Sequence, residues 1–237
     1  MKQYYLSFDD TDNLTSPGTG HLLQDFLSSL PWESSFISRH QLFVSQDVPY
    51  TSHNSTMCAM VQGDVDEDEL IRRAAAYLER TLAPGADPGL CVARAGEIAT
   101  PEKLVQWGYR AKKEVLTKAE ACALAKACHV HLSEHGGTGQ GVVGALAGVG
   151  LRLGGQDGRV KGRKDVSKAC LTAAELLRET GFDRVCAYGE GELPPDALIL
   201  TGADRVKAVY QDYRSTVLTV RDGASYRPVG KDVLKSY

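Results

Sequence analysis

The chain has 237 residues, 43% of them hydrophobic, and 27 basic against 30 acidic side chains give a net charge of −3. That length and apolar content support a real core and one or two domains. The near-neutral balance excludes a global basic footprint, so an RNA partner would have to be met by a local patch or by another chain.

The first predicted element is a short buried strand over Tyr4 to Phe8, which breaks off into three carboxylates, Asp9, Asp10 and Asp12. Like charges so close repel one another unless a cation sits among them. Hard oxygen ligands suit Mg²⁺, an ion that commonly arrives with phosphates. The strand end is also where ligands bind in open α/β sheets. Gly18-Thr19-Gly20 then leaves backbone N–H groups free to approach an anion, and Leu22, Leu23, Phe26, Leu27 and Leu30 follow at helical spacing. The same acidic run also has a plain reading as a solvated turn, since Asp, Asn and Gly are ordinary turn residues.

Ser35 to Val44 and Met57 to Val61 are predicted strands. The polar loop between them, including Tyr50, Ser52, His53 and Asn54, carries more hydrogen-bonding groups than a connection requires. Asp64 to Thr81 is an amphipathic helix with acids in its first turn. Pro84 to Gly89 turns the chain into a short strand, Leu90 to Ala93. Thr100-Pro101 opens another helix, and Thr117-Lys118-Ala119-Glu120 is a capping box for one running to about His129.

A second glycine cluster follows a lead-in that reads as largely helical. Gly139-Gln140-Gly141-Val142-Val143-Gly144 fits GxGxxG, but no βαβ unit surrounds it, so a dinucleotide fold is not indicated. The glycines could serve close packing alone. Gly136, Gly137, Thr138, Gly139 and Gly141 nonetheless precede an apolar helix over Val142 to Leu151, which points to phosphate contact at a helix start. Gly154 to Lys164 reads as a boundary, and the basic stretch Arg152 to Lys168 is the one local candidate for nucleic acid, with a solvated linker as its plain alternative. Beyond it come a helix over Ser167 to Thr180 and strands at Arg184 to Tyr188, Ala197 to Thr201, Val206 to Tyr210 and Thr216 to Val220. A hairpin turn at Arg221 to Ala224 closes the series.

The six cysteines, Cys58, Cys91, Cys122, Cys128, Cys170 and Cys186, form no CxxC pair, and are expected as small buried residues with reduced thiols. MKQYYLSFDD lacks a secretory h-region and no apolar stretch reaches spanning length. The expected location is therefore the cytoplasm, without membrane contact.

Four blocks, FDDTDNLTSPGTGHL, VPYTSHNST, DPGLCV and GTGQGVVGALAGVG, in this order and at compatible spacings, resemble the kinase-like N-terminal domain of the archaeal tRNA(Ile) agmatinylcytidine synthetases. The resemblance covers about Tyr4 to Leu153 and, more loosely, the smaller domain after it. It implies an α/β (α+β) fold: a kinase-like ATP/Mg-binding domain at 1–160 and a small ferredoxin-like α/β domain at 161–237. It also implies ATP- and Mg²⁺-dependent phosphoryl transfer with Asp9, Asp10 and Asp12 on the metal. The family's functional threonine falls on Thr19, its loop asparagine on Asn54, and its second glycine motif on Gly139, Gln140, Gly141 and Gly144. The chain departs from the family at Gly20, at Ser52-His53 and at Gln140, and its sequence ends without the family's OB-fold and zinc ribbon.

The combined expectation is a phosphotransferase acting on a nucleoside, tRNA or small-molecule acceptor. Asp10, Thr19, His53 and Asn54 form its catalytic set, and Thr11, Gly18, Gly20, Gly137, Thr138, Gly139, Gln140 and Gly141 contact the nucleotide. RNA would be reached through a partner chain, and the second domain would offer a binding surface or oligomer contact. Two alternatives stay open: a DxD phosphatase with Asp10 as nucleophile and Asp12 as acid/base, and a nucleotide-sensing or RNA-binding module without chemistry.

Overall fold

The computed structural model describes residues 1–45, 54–202 and 205–237. The chain divides into two compact units, Met1–Gly154 and Gly155–Tyr237.

The first unit runs β1 (Lys2–Asp9), α1 (Thr19–Ser28), β2 (Glu33–Ser34), β3 (Ser38–Gln41), β4 (Ser55–Gly63), α2 (Glu67–Thr81), β5 (Gly89–Arg94), α3 (Pro101–Ala111), α4 (Lys118–Cys128), β6 (His131–Glu134) and α5 (Gly141–Gly154). Its sheet has the order β6-β5-β1-β4-β3, with β2 also on β4. Every pairing is antiparallel, β1 lying between β4 and β5. The mixed α+β class therefore holds, while the parallel-sheet rule for ligand position does not apply.

Strand β1 is buried from Tyr4 to Asp9 because both faces of the sheet are covered. Its period of two sends Tyr4, Leu6 and Phe8 into a cluster with Phe26 of α1 and Leu70, Ala74 and Leu78 of α2. Tyr5 faces the opposite way, into a cluster with Trp107 of α3, Ala121 and Ala125 of α4, and Ala145, Leu146 and Val149 of α5. The result is a sheet between two helical layers. Helix α5 is enclosed on all sides, which accounts for a sequence that is apolar throughout except at Arg152 in its last turn. Among the described residues no helix is long and apolar enough to cross a membrane.

Caps fix several boundaries. Asp66 accepts from Glu69 N at 2.9 Å and starts α2 three residues later than the acidic run suggests. The Thr117–Glu120 capping box opens α4, which closes at His129 in the left-handed conformation. The lead-in to the glycine cluster is not helical: His131–Glu134 forms strand β6 on the edge of the sheet.

The second unit contains β7 (Arg159–Val160), β8 (Lys164–Asp165), β9 (Cys170–Thr172), α6 (Ala173–Thr180), β10 (Arg184–Ala187), β11 (Gly191–Glu192), β12 (Leu198–Leu200), β13 (Arg205–Val206), β14 (Val209–Gln211), β15 (Arg214–Asp222), β16 (Ser225–Pro228) and α7 (Lys231–Lys235). A mixed sheet orders β7-β14-β15-β16-β12-β9, with β10 parallel to β15; β8 and β13 pair separately. Cys186, Val209, Leu218 and Val229 are buried together in it. The helix expected from Ser167 begins only at Ala173, because the effective start signal is the Thr172–Glu175 capping box; the Ser167 hydroxyl instead donates to Glu179 at 2.7 Å. The single strand expected at 206–210 is two, β13 and β14, in different sheets. Four cysteines are buried, but Cys122 and Cys170 are exposed, contrary to expectation.

Candidate active site

Antiparallel pairing brings four chain ends to one edge of the first unit's sheet: the end of β1, the start of β4, the start of β5 and the end of β6. Three loops meet there. The carboxylate turn after β1 is tied to the loop before β5 by Asp87 N donating to Asp10 O at 3.1 Å, and that loop is tied to the start of α5 by Gly141 N donating to Asp87 O at 3.1 Å.

The three carboxylates occupy different surroundings. Asp9 continues the β1 face that meets α5, and a Cβ at Gly144 would lie 1.9 Å from its Oδ2. Burial, then the charges of Asp10 and Asp12, push its carboxyl well above the ordinary range, against a backbone hydrogen bond from Asp10. Asp10 turns the chain with φ +50°, and its carboxyl is pushed up to about 6 by burial, then by Asp87 and Asp12. Asp12 Oδ1 accepts from Thr19 Oγ1 at 2.9 Å, which fixes the first residue of α1 to the acidic turn. Asn13 shapes the loop, its Oδ1 accepting from Thr15 N at 2.9 Å and Ser16 N at 3.0 Å. Thr11 is buried, and among the described residues its Oγ1 has no hydrogen-bond partner. Gly18 caps α1 in extended conformation, and Gly20 is buried in its first turn.

The glycine loop holds an anion of its own. Gly137 and Gly139 have φ of +54° and +76°, a succession that points neighbouring N–H groups inward. The occupant is the Asp87 carboxylate, which accepts from Thr138 N, from Thr138 Oγ1 and, at 3.1 Å, from Gly139 N. Burial pushes this carboxyl up, but the bonds from the Thr138 hydroxyl and from the N–H groups of Gly139, Thr138 and Gln140 outweigh it and hold it below the usual range. Gly137 is confined by this contact, since a Cβ there would meet Asp87 Oδ1 at 1.8 Å. Gly141 serves close approach: a Cβ on it would lie 2.1 Å from Asp87 O, and one on Gly89 would lie 2.2 Å from Gly141 O. Gln140 is exposed beside this packing.

Thus the expected residues of the acidic turn and the glycine loop share one edge, linked through Asp87. Asn54 reaches the same end of the sheet, but its side-chain amide donates to Phe43 O at 2.6 Å and its main-chain carbonyl accepts from Leu42 N at 2.8 Å, so both groups close the β3–β4 connection. His53 lies outside the described residues. Sequence reasoning missed Asp87; a carboxylate between a strand start and a glycine loop is visible there, but its role depends on a contact 51 residues away.

Among the described residues no three His, Cys, Asp or Glu side chains form a ready-made metal cage. Mg²⁺ does not require one, since it keeps several waters and binds through one or two carboxylates plus phosphates. Asp10 and Asp12 fit that demand: they repel each other, their oxygens are hard, and the orphaned Thr11 hydroxyl lies in the same turn.

No family model and no curated protein matches this chain. Solved structures do. A tRNA fluorescent labelling enzyme aligns at 24% identity and TM-score 0.55 over 62% of this chain and 36% of that one. TiaS, an agmatidine synthetase of an isoleucine tRNA, aligns in its complex with that tRNA and ATP at 21% identity and TM-score 0.56, over 69% and 38%. Its complex with the same tRNA, AMPCPP and agmatine aligns at 17% and 0.56, over 74% and 43%. The chain thus shares the fold of part of these proteins and spans less than half their length.

Proposed function

We propose that the first unit binds MgATP and transfers its phosphoryl group, in a reaction of RNA modification. The carrying observation is the meeting of the acidic turn and the glycine loop at one sheet edge through Asp87. The likeness to TiaS structures with tRNA and ATP supports the choice of nucleotide and acceptor class. Asp10 and Asp12 would hold the ion, which would neutralise phosphate charge when bound. Asp9, enclosed against Gly144, backs the turn from the helix side. The N–H groups of Thr138 and Gly139 would receive phosphate oxygens once Asp87 yields them. Asp12 fixes the Thr19 hydroxyl at the start of α1, where it can contact a phosphate or accept one. Such chemistry asks mainly for positioning and charge neutralisation. The acceptor would be tRNA or another RNA, engaged with the help of a second chain.

The test is titration of ATP with and without Mg²⁺, followed by release of labelled phosphate from γ-labelled ATP in the presence of bulk tRNA. Metal-dependent binding and turnover, both lost in Asp10→Asn, are expected. Intact turnover in that variant would refute the assignment. A second reading, a nucleotide-sensing module without turnover, draws on the Asp87 carboxylate already seated in the anion loop. Tight MgATP binding with no transfer to RNA would select it.

A further inference from the structure

Strand β6 carries a polar row that the phosphoryl-transfer reading does not use. Alternation puts His131, Ser133 and His135 on one side of the chain. Both imidazoles turn their Nε2 atoms onto a single point: His131 Nε2 lies 2.9 Å from Ser133 Oγ, and His135 Nε2 lies 2.8 Å from the same oxygen. His135 is nearly enclosed, its side chain 7% exposed, and its Nδ1 faces Glu79 Oε1 of α2 at 3.6 Å. Because β6 pairs only with β5 among the described strands, this row lies at the sheet margin, where water can reach it.

We propose that His131 and His135 form a binding site for a transition-metal dication of borderline softness, with Zn²⁺ as the reference ion. Imidazole nitrogen suits Zn²⁺, Ni²⁺, Cu²⁺ and Co²⁺ rather than Mg²⁺. A carboxylate behind the distal ring nitrogen is the usual support of a metal-bound histidine: with Nδ1–H directed at Glu79, the Nε2 lone pair of His135 is left for the metal. Burial favours the uncharged ring in both histidines, with the neighbouring histidine adding to this at His131; at His135 Glu79 and Glu134 oppose it without reversing it. The shared contact with Ser133 Oγ keeps the two nitrogens within about 6 Å of each other, and tetrahedral Zn–N bonds of about 2.0–2.1 Å require a closer approach, which rotation of the half-buried His131 ring provides. Ser133 Oγ and water complete the coordination.

The same atoms also outline a Ser133–His135–Glu79 nucleophile, base and orienting acid. The second imidazole on Ser133 Oγ favours the metal, because a base-activated hydroxyl needs one nitrogen and a metal needs several.

The experiment is calorimetric titration of Zn²⁺ into the full chain without nucleotide, paired with Co²⁺ absorption to report nitrogen ligation. One ion per chain is expected, weakened at least tenfold in His131→Ala and in His135→Ala, and less in Glu79→Gln. His129→Ala should bind as the unaltered protein does. Circular dichroism identifies any variant that fails to fold, and His131→Gln then replaces His131→Ala. No binding, or binding unchanged in the double histidine variant, would overturn the proposal. So would labelling of Ser133 by a fluorophosphonate in a protein that takes up no Zn²⁺.

Discussion

Replacing Asp87 by Ala sets folding against ligand binding. The carboxylate accepts from Thr138 N, Thr138 Oγ1 and Gly139 N, and a hydrogen bond to a charged group contributes about 1.5–3 kcal/mol net where solvent is kept away. The loop is largely exposed at Thr138, so water recovers much of that sum and the net loss is about 1–3 kcal/mol. If phosphate must displace the carboxylate from the same donors, removing it strengthens nucleotide binding by the same energy, about 5- to 150-fold. Thermal unfolding with and without MgATP reads both effects: a lower Tm for the apo variant and a larger ligand-induced rise. The wild type carries a pH signature as well. The carboxyl is depressed, so its stabilisation is complete above the unfolded value near 3.9 and disappears as pH falls through the lower folded value. Asp87→Ala should lack that acid limb. An Asp87→Ala protein that loses stability and also binds MgATP more weakly would refute competition, and would make Asp87 a partner of the ligand instead.

Gly144→Ala should cost about 1–3 kcal/mol, as overpacking does, because the new methyl would lie 1.9 Å from Asp9 Oδ2; chemical denaturation measures it, and a neutral or stabilised variant would mean the helix can move away. MgATP affinity should rise between pH 5 and 7 and then level off, because the Asp10 carboxyl titrates at about 6 and must be ionised to hold metal; a flat calorimetric profile would remove Asp10 from the site. The same raised value makes Asp10 a stabiliser of the apo fold only at low pH: the native state holds its proton from about 3.9 up to about 6, and this contribution falls as pH rises through that window. Thr19→Val deletes the 2.9 Å bond to Asp12 and should weaken nucleotide binding while leaving Zn²⁺ uptake unchanged.

Local signals in the sequence were sufficient for the elements with strong caps or full burial. The Tyr4–Phe8 run, the Thr117 capping box and the apolar run Val142–Leu151 of α5 each state their own structure. Strand β6 did not, because His131, Ser133 and Glu134 are polar and only Leu132 faces the core; its strand character comes from pairing with β5. The helix start at Ser167 misled for a related reason. Ser167 is a good cap by composition, but Glu179 takes its hydroxyl and Thr172 performs the capping. At the site, the three carboxylates could be found by spacing, whereas the division of work among them could not. That division depends on which face of β1 each residue meets and on a helix more than a hundred residues away.

The glycines of α5 show how one motif came to suggest phosphate binding and packing together. Gly144 and Gly148 lie one helical turn apart and face β1 and β4: a Cβ on the first would strike Asp9, and one on the second would lie 2.3 Å from Ser7 Oγ and 2.7 Å from Thr56 Oγ1. Their absent side chains let the helix lie directly on the polar face of β1, where Ser7 Oγ and Thr56 Oγ1 are 3.2 Å apart and Ser7 donates to Met57 O at 3.0 Å. Because the helix is that close, its first turn arrives beside the end of β1, and the Gly139 N–H is delivered to Asp87 and hence to Asp10. Packing is thus the cause and the anion loop its consequence. A methyl at Gly148, far from any phosphate, should therefore disturb nucleotide binding by lifting the helix start, and an isothermal titration of Gly148→Ala that matched the unaltered protein would sever that link.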